Sequence, residues 1–341
     1  MPAGMADPRP SIAAVLIVRD EARCIARCLA SVRPWVDRII VLDTGSTDDT
    51  IAIARECGAA VSEMVWPDSF AEARNASLAL SDADWNLVID ADEWIESGGE
   101  HLRAWCAGPA RLGRLWQVSQ ADGGSGVVTR NRVTRLLPRG VRYTGRVHEQ
   151  VESDLPRDPI DLAFGHDGYV GAQLVRKQQR NHPLLLAELS DAPDDPYLHY
   201  QLGKDAQMRG DERAASEYFA AAVALSPGAA NWRHEMVVCQ LHALAKSGQL
   251  DEAIDFAEDQ RGDWAHSPDF HFVLGDVLLD CAMADPANAV GHWLPHACAS
   301  WERCLAIGEQ PELEGSVPGR GSHLAQHNLD LVRAQLAMLA A

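Results

Sequence analysis

Four strand-like runs, Ile12 to Val18, Arg38 to Asp43, Ala60 to Val65 and Trp85 to Asp90, alternate with stretches of helical spacing, from about Glu21 to Val32, Ser46 to Cys57 and Phe70 to Leu80. Strands separated by helices must be joined by crossovers, and crossovers within one sheet are right-handed and set the strands parallel. The chain is therefore predicted to open with an α/β domain, a mostly parallel sheet with helices on both faces. Ser46, with Asp49 three residues on, is predicted to cap the second helix. Sheets of this kind bind ligands beyond the carboxyl ends of their strands. Those ends read Arg19-Asp20-Glu21, Asp43-Thr44-Gly45 and Asp90-Ala91-Asp92, so three acidic clusters are expected on one rim.

After about Arg180 the pattern becomes Ala- and Leu-rich at helical spacing, and the charge shifts with it. Residues 1–180 carry 21 basic and 25 acidic side chains, residues 181–341 carry 9 and 24, so the balance moves from −4 to −15. Leu202, Gly203, Ala206, Gly210, Ala215, Phe219, Ala222 and Pro227 fall at the small and large positions of a tetratricopeptide-type repeat, a helix-turn-helix unit of about 34 residues. Gly248 and Ala253 mark a weaker copy 38 residues on, Leu274-Gly275 opens a degenerate third, and Ser322 to Leu339 is amphipathic enough to cap the array. The expected organisation is an arm over residues 1–10, an α/β domain over 11–180 and a helical domain over 181–341. Stacked helix pairs leave a concave surface for a partner; a packing lobe that forms a homodimer is the alternative.

A net charge of −19 repels phosphate backbones, which argues against nucleic acid as a partner. The longest apolar runs are far short of the roughly 20 residues of a membrane helix. Residues 1–10 hold three prolines and no apolar core of a signal peptide, so a cytosolic location is expected. The eight cysteines include no CxxC pair and are expected to be reduced thiols.

Asp90-Ala91-Asp92-Glu93 closes an apolar strand. Carboxylates two apart on extended backbone lean toward one hard cation when the strand twists at its end, and Mg²⁺ or Mn²⁺ accepts such oxygens together with substrate phosphates. Alone, Asp-x-Asp more often marks a solvated turn; the apolar strand before it, with Asp43 on the same rim, favours the metal. Val15-Leu16-Ile17-Val18-Arg19-Asp20-Glu21, then Ile39 through Thr50, then Phe70-Ala71-Glu72-Ala73-Arg74-Asn75, then Asp90-Ala91-Asp92-Glu93, resemble glycosyltransferase family 2 in order and spacing. The resemblance covers about residues 11–180 and implies a GT-A domain, a Rossmann-like fold. With the helical tail, the chain is similar to the branch containing bacteriocin S-glycosyltransferases and lipopolysaccharide-core glucosyltransferases.

The resemblance implies a metal-dependent, inverting transfer from a nucleotide sugar, foremost a UDP-sugar, to a peptide or protein, or else to a lipopolysaccharide or other glycolipid. It places Asp43 at the nucleobase or ribose, Val18, Asp20 and Glu21 along the base pocket, Asp90 at the ribose or metal, and Asp92 on the metal. Arg74 and Asn75 fall beside the nucleotide, unless they are a solvated helix face. Tyr143-Thr144-Gly145-Arg146-Val147-His148-Glu149-Gln150 and His166-Asp167-Gly168-Tyr169 look like two further segments of that branch. Displacing a nucleoside diphosphate needs charge neutralisation at the phosphates and a base for the acceptor's proton. His148 is assigned to the metal or diphosphate and Glu149 to the base; His166 is the alternative ligand, and a structural pair the alternative reading of His148 and Glu149.

Between Gly123 and Val147 there are six arginines and no acid, and guanidinium forks match phosphate oxygens. Arg132 and Arg135 are the first candidates, although alternation of Arg130 and Arg132 with Val133 and Leu136 also fits one exposed strand face. Gly123-Gly124-Ser125-Gly126 reads as a loop. A nucleotidyltransferase would open with a Gly-rich loop where this chain has Arg19-Asp20-Glu21-Ala22. A non-catalytic binding scaffold is disfavoured by the intact Asp43, Asp90, Asp92, His148 and Glu149.

Overall fold

The computed structural model describes residues 9–120, 128–166, 171–226, 228 and 230–339. Most of the predicted arm, the Gly123–Gly126 loop, Asp167-Gly168-Tyr169 and Pro227 lie outside them. The chain divides into two compact units, Met1–Leu184 and Leu185–Ala341.

The first unit runs β1 (Ile12–Val18), α1 (Ile25–Val32), β2 (Arg38–Asp43), α2 (Thr50–Glu56), β3 (Ala60–Glu63), α3 (Phe70–Ala79), β4 (Trp85–Val88), β5 (Glu93–Ser97), α4 (Leu102–Cys106), β6 (Leu112–Gln120), β7 (Val128–Pro138), β8 (Arg142–Thr144), β9 (Gln150–Glu152), β10 (Arg157–His166) and α5 (Gly171–Asp191), which continues into the second unit. Eight strands form one sheet in the order β3-β2-β1-β4-β7-β6-β10-β5, beside a β8–β9 pair. The half from β3 to β4 is parallel, as is β6 with β10; β4–β7, β7–β6 and β10–β5 are antiparallel. The parallel half is the one the strand–helix alternation predicts.

Helices lie on both faces because β1 is apolar on both. Ile12, Ala14, Leu16 and Val18 pack with Ile25, Cys28, Leu29 and Val32 of α1, while Ala13 and Val15 pack toward Leu78 of α3. The start of α2 differs from expectation. Asp49, not Ser46, is its N-terminal flanking residue, because Ser46 is engaged elsewhere: its N–H donates to Asp43 Oδ1 at 2.8 Å and its Oγ accepts from the Asp20 N–H at 2.9 Å. A side-chain cap does form at α3, where Ser69 accepts from the Glu72 N–H.

The second unit strings α6 (Pro196–Met208), α7 (Glu212–Leu225), α8 (Arg233–Lys246), α9 (Leu250–Gln260), α10 (Pro268–Ala284), α11 (Leu294–Ile307) and α12 (His323–Leu339), each packed on the next. Two close contacts set its spacing: a Cβ added at Gly203 would lie 2.5 Å from the Phe219 ring, and one at Gly275 2.5 Å from the Trp301 ring. Phe219 and Trp301 are wholly buried at these contacts. The eight cysteines are unpaired. Among the described residues no helix is long and apolar enough to cross a membrane.

Candidate active site

Parallel register gathers the acidic strand ends. Val18 stands beside Asp43, and β4 runs along β1 with Val15 beside Val88, so Asp90 leaves the sheet next to them. The cleft at these ends is lined by Val18, Glu21, Thr44, Arg74, Asp90, Asp92 and His166, together with Arg19, Trp66, Phe70 and Arg180.

Asp90 is the hub of a charge network. One oxygen accepts from Arg74 Nη2 at 2.8 Å and the other from Arg135 Nη2 at 2.7 Å. Arg74 Nε also donates to Glu149. Glu93, wholly buried, accepts from the Asp90 N–H at 2.9 Å and from Gln117 Nε2, and lies 3.7 Å from Arg135. Burial pushes the Asp90 carboxyl up, but Arg135 and Arg74 outweigh it and hold the group well below the usual carboxylate range. In Glu93 burial wins over Arg135, and the pKa is raised. Tyr143, buried beside Arg74, is pushed up to about 12 by burial.

Asp92 and His166 form the second feature. The β10–β5 register sets His166 opposite Glu93, and β10–β6 sets it beside Ser119. His166 Nε2 accordingly lies 3.5 Å from Asp92 Oδ2, both side chains under a tenth exposed, and its Nδ1 is 3.0 Å from Ser119 Oγ. A carboxylate and a ring fixed through its other nitrogen suit a divalent cation that completes its shell with phosphate and water. Among the described residues no group of three or more His, Cys, Asp and Glu is placed to hold a metal.

The predicted residues part company here. Asp90 has each oxygen on one guanidinium, yet it lines the cleft and each oxygen keeps a second lone pair toward a metal or ribose. His148 is exposed, at φ +54°, and does not line the cleft, whereas His166, the alternative, does. Glu149 is tied to Arg74. Asn75 is spent on the backbone of Tyr143, donating and accepting at 2.9 Å each, and so joins α3 to β8 instead of lining the cleft. Arg132 stacks over Trp116 at 4.1 Å, the strand-face reading, while Arg135 enters the network. Asp43 Oδ1 accepts from the Gly45 and Ser46 N–H groups, and its Oδ2 is buried with no hydrogen-bond partner. Asp20 locks the loop by accepting from the Thr47 N–H at 2.7 Å. Glu93 stands beside Asp92 in the sequence with no role of its own, Phe70 only opens the segment that holds Arg74, and Gln117, Ser119, Trp66 and Arg180 carry no signal.

Comparison with known proteins bears on this geometry. Residues 13–110 match the profile of Glycosyl transferase family 2. A TPR repeat-containing protein of Synechococcus elongatus is 34% identical over 256 residues, 70% of this chain and 63% of that protein. The SPbeta prophage-derived glycosyltransferase SunS of Bacillus subtilis is 28% identical over 227 residues, 61% of this chain and 52% of SunS. The chain thus spans less than two thirds of the length of either relative. Among solved structures, glucosyl-3-phosphoglycerate synthase of Mycobacterium tuberculosis with Mn²⁺ and UDP-glucose is 30% identical over 32% of this chain and 44% of that one, at a TM-score of 0.28, a likeness too partial to bear on ligands here. The match to glycosyltransferase family 2 falls wholly within the first unit. More particularly, the matched segment is followed in this chain by the helices α6 to α12.

Proposed function

We propose that the chain is a metal-dependent, inverting glycosyltransferase that moves a sugar from a nucleotide donor, foremost a UDP-sugar, to a peptide or protein. The observation that carries this reading is the strand-end cleft in which Asp92 adjoins His166; Asp43, behind its lining residue Thr44, keeps a buried oxygen with no hydrogen-bond partner among the described residues. Asp43 Oδ2 accepts from a ribose hydroxyl or base N–H. Asp92 and His166 hold Mg²⁺ or Mn²⁺, which when bound neutralises charge on the diphosphate. Arg74 and Arg135 fix Asp90 and with it the turn that presents Asp92. Glu149, held by Arg74, acts as a positioning group. A balance of −15 over residues 181–341 repels anionic glycolipid headgroups and suits a neutral or basic peptide.

The test is release of nucleoside diphosphate from UDP-, GDP- and dTDP-sugars with Mn²⁺ or Mg²⁺, with Asp92→Asn alongside. Metal-dependent release from one donor is expected, with at least about a 100-fold loss in Asp92→Asn and an unchanged Tm. A variant that turns over like wild type, or that fails to fold, rejects the metal role.

A further inference from the structure

Four arginines line or support the cleft, and they differ in how their charge is met. Arg74 and Arg135 are 6% and 14% exposed in their side chains and are committed to Asp90, with Glu149 and Glu93 as second partners. Arg19 and Arg180 line the cleft directly, and neither forms an ion pair with a carboxylate among the described residues. Arg180 donates from Nε to Asn181 Oδ1 at 3.1 Å and lays its guanidinium over the Phe70 ring at 4.7 Å. Phe70 is itself braced edge-to-face by Trp66 at 4.9 Å. The plane of the fork is thus fixed while both Nη groups stay unbonded. Arg19 follows β1 at the turn that Asp20 locks to Thr47.

The two guanidiniums also feel each other. Desolvation lowers the Arg180 pKa, Glu21 opposes that, and the positive charge of Arg19 lowers it further. Both guanidiniums are exposed to solvent where they line the cleft, so an entering anion can reach both. Two forks together match a phosphate that bears two charged oxygens, the terminal phosphate of a nucleoside diphosphate.

We propose that Arg19 and Arg180 form a clamp for that terminal phosphate, with Arg180 contributed from outside residues 13–110. The clamp rests on the reading of the cleft as a nucleotide site. It distinguishes a nucleoside diphosphate from a monophosphate, so a spent donor stays bound until both arginines release it.

Calorimetric titration of the full chain at constant Mg²⁺ with UDP and with UMP tests it, using wild type, Arg180→Gln, Arg180→Lys and Arg19→Gln. Arg180→Gln and Arg19→Gln should each weaken UDP at least about tenfold and UMP less than about twofold. Arg180→Lys should fall between, since an ammonium keeps the charge and loses the fork. The Tm of each Gln variant should hold or rise, because a repulsion has been removed. Equal losses for UMP and UDP, or no loss for either, overturn the clamp. Inorganic phosphate should compete with UDP and not with UMP; phosphate that needs Arg180 yet competes with neither belongs to a second anion and also overturns it. Wild type that binds none of UDP, GDP and dTDP overturns the nucleotide reading itself, which the variants alone leave intact.

Discussion

Asp90 and Asp276 are half-buried carboxylates whose charge is met in different ways. Asp90 stands at a strand end between two guanidiniums brought from positions 16 residues before it and 45 after, and its pKa is held far down. Asp276, on α10, accepts from Asn328 Nδ2 at 3.2 Å. Burial pushes its carboxyl up to about 6, although Arg320 and Lys246 pull against that. The sheet unit invests in charge pairs between distant segments, and such pairs build a rim on which Asp92 and His166 can meet. The helical unit is held mainly by close apolar contact between neighbouring helices; it pairs Asp269 with Arg320 at 3.1 Å and Asp205 with Arg209 at 2.9 Å, but meets Asp276 with the Asn328 amide. Charge pairing at a strand end is therefore part of the site, whereas at Asp276 the burial of charge is a cost of packing.

The largest effect expected is at Asp90. Asp90→Ala leaves Arg74 and Arg135 facing each other without their shared counter-charge, which should cost about 3–5 kcal/mol in chemical denaturation at pH 7. Because the folded pKa lies below the unfolded one, this stabilisation is complete above about pH 4 and is lost as the pH falls further. Wild type and variant should converge in acid. A loss under about 1 kcal/mol at pH 7 would mean that Glu149 and Glu93 already satisfy the two arginines, and that Asp90 is less central than its geometry suggests.

Gly203→Ala probes the other unit. On an open helix the change would stabilise by up to about 1 kcal/mol, but here the new methyl meets the Phe219 ring at 2.5 Å, so a loss of about 1–3 kcal/mol is expected. Phe219→Leu in the same chain should recover part of it by opening room. Stabilisation by Gly203→Ala alone would show that the contact between α6 and α7 is slack, and that apolar closeness is not what spaces this unit.

Both positions were visible in the sequence, for different reasons. The repeat glycines recur at fixed spacing beside large residues, so periodicity reveals them. Likewise β1 and β2 match the predicted runs, since strands buried on both faces read as unbroken apolar segments. The antiparallel strands β5, β6, β7 and β10 were not predicted. Their partners lie far along the chain, and on β7 the conspicuous residues were arginines. The site divides the same way. Asp92 is legible from a local motif, but its partner is set by the β10–β5 register, which brings in His166 and leaves His148 exposed. Asn75 reads as a ligand because its hydrogen bonds to Tyr143 cross 68 residues, a distance no local pattern spans.

The smallest effect expected lies at Asp276, and it tests the contrast most directly. An unfolded aspartate titrates near about 3.9, whereas this one is raised to about 6 when folded. The folded chain then holds the proton more tightly than the unfolded chain, so the stability linked to Asp276 is complete below about pH 4 and is lost as the pH rises through 6. Asp276→Asn removes the charge and keeps an oxygen for Asn328. It should stabilise the chain by about 1–2 kcal/mol at pH 8, less than the full linkage value because Arg320 and Lys246 lose an anion. The gain should shrink to nothing by pH 4, measured as the difference between the two denaturation midpoints across that range. A gain of the same size at pH 4 and pH 8 would point to packing instead of charge. A loss at pH 8 would mean that Arg320 and Lys246 act on Asp276 as Arg74 and Arg135 act on Asp90, and the contrast between the two carboxylates would fall.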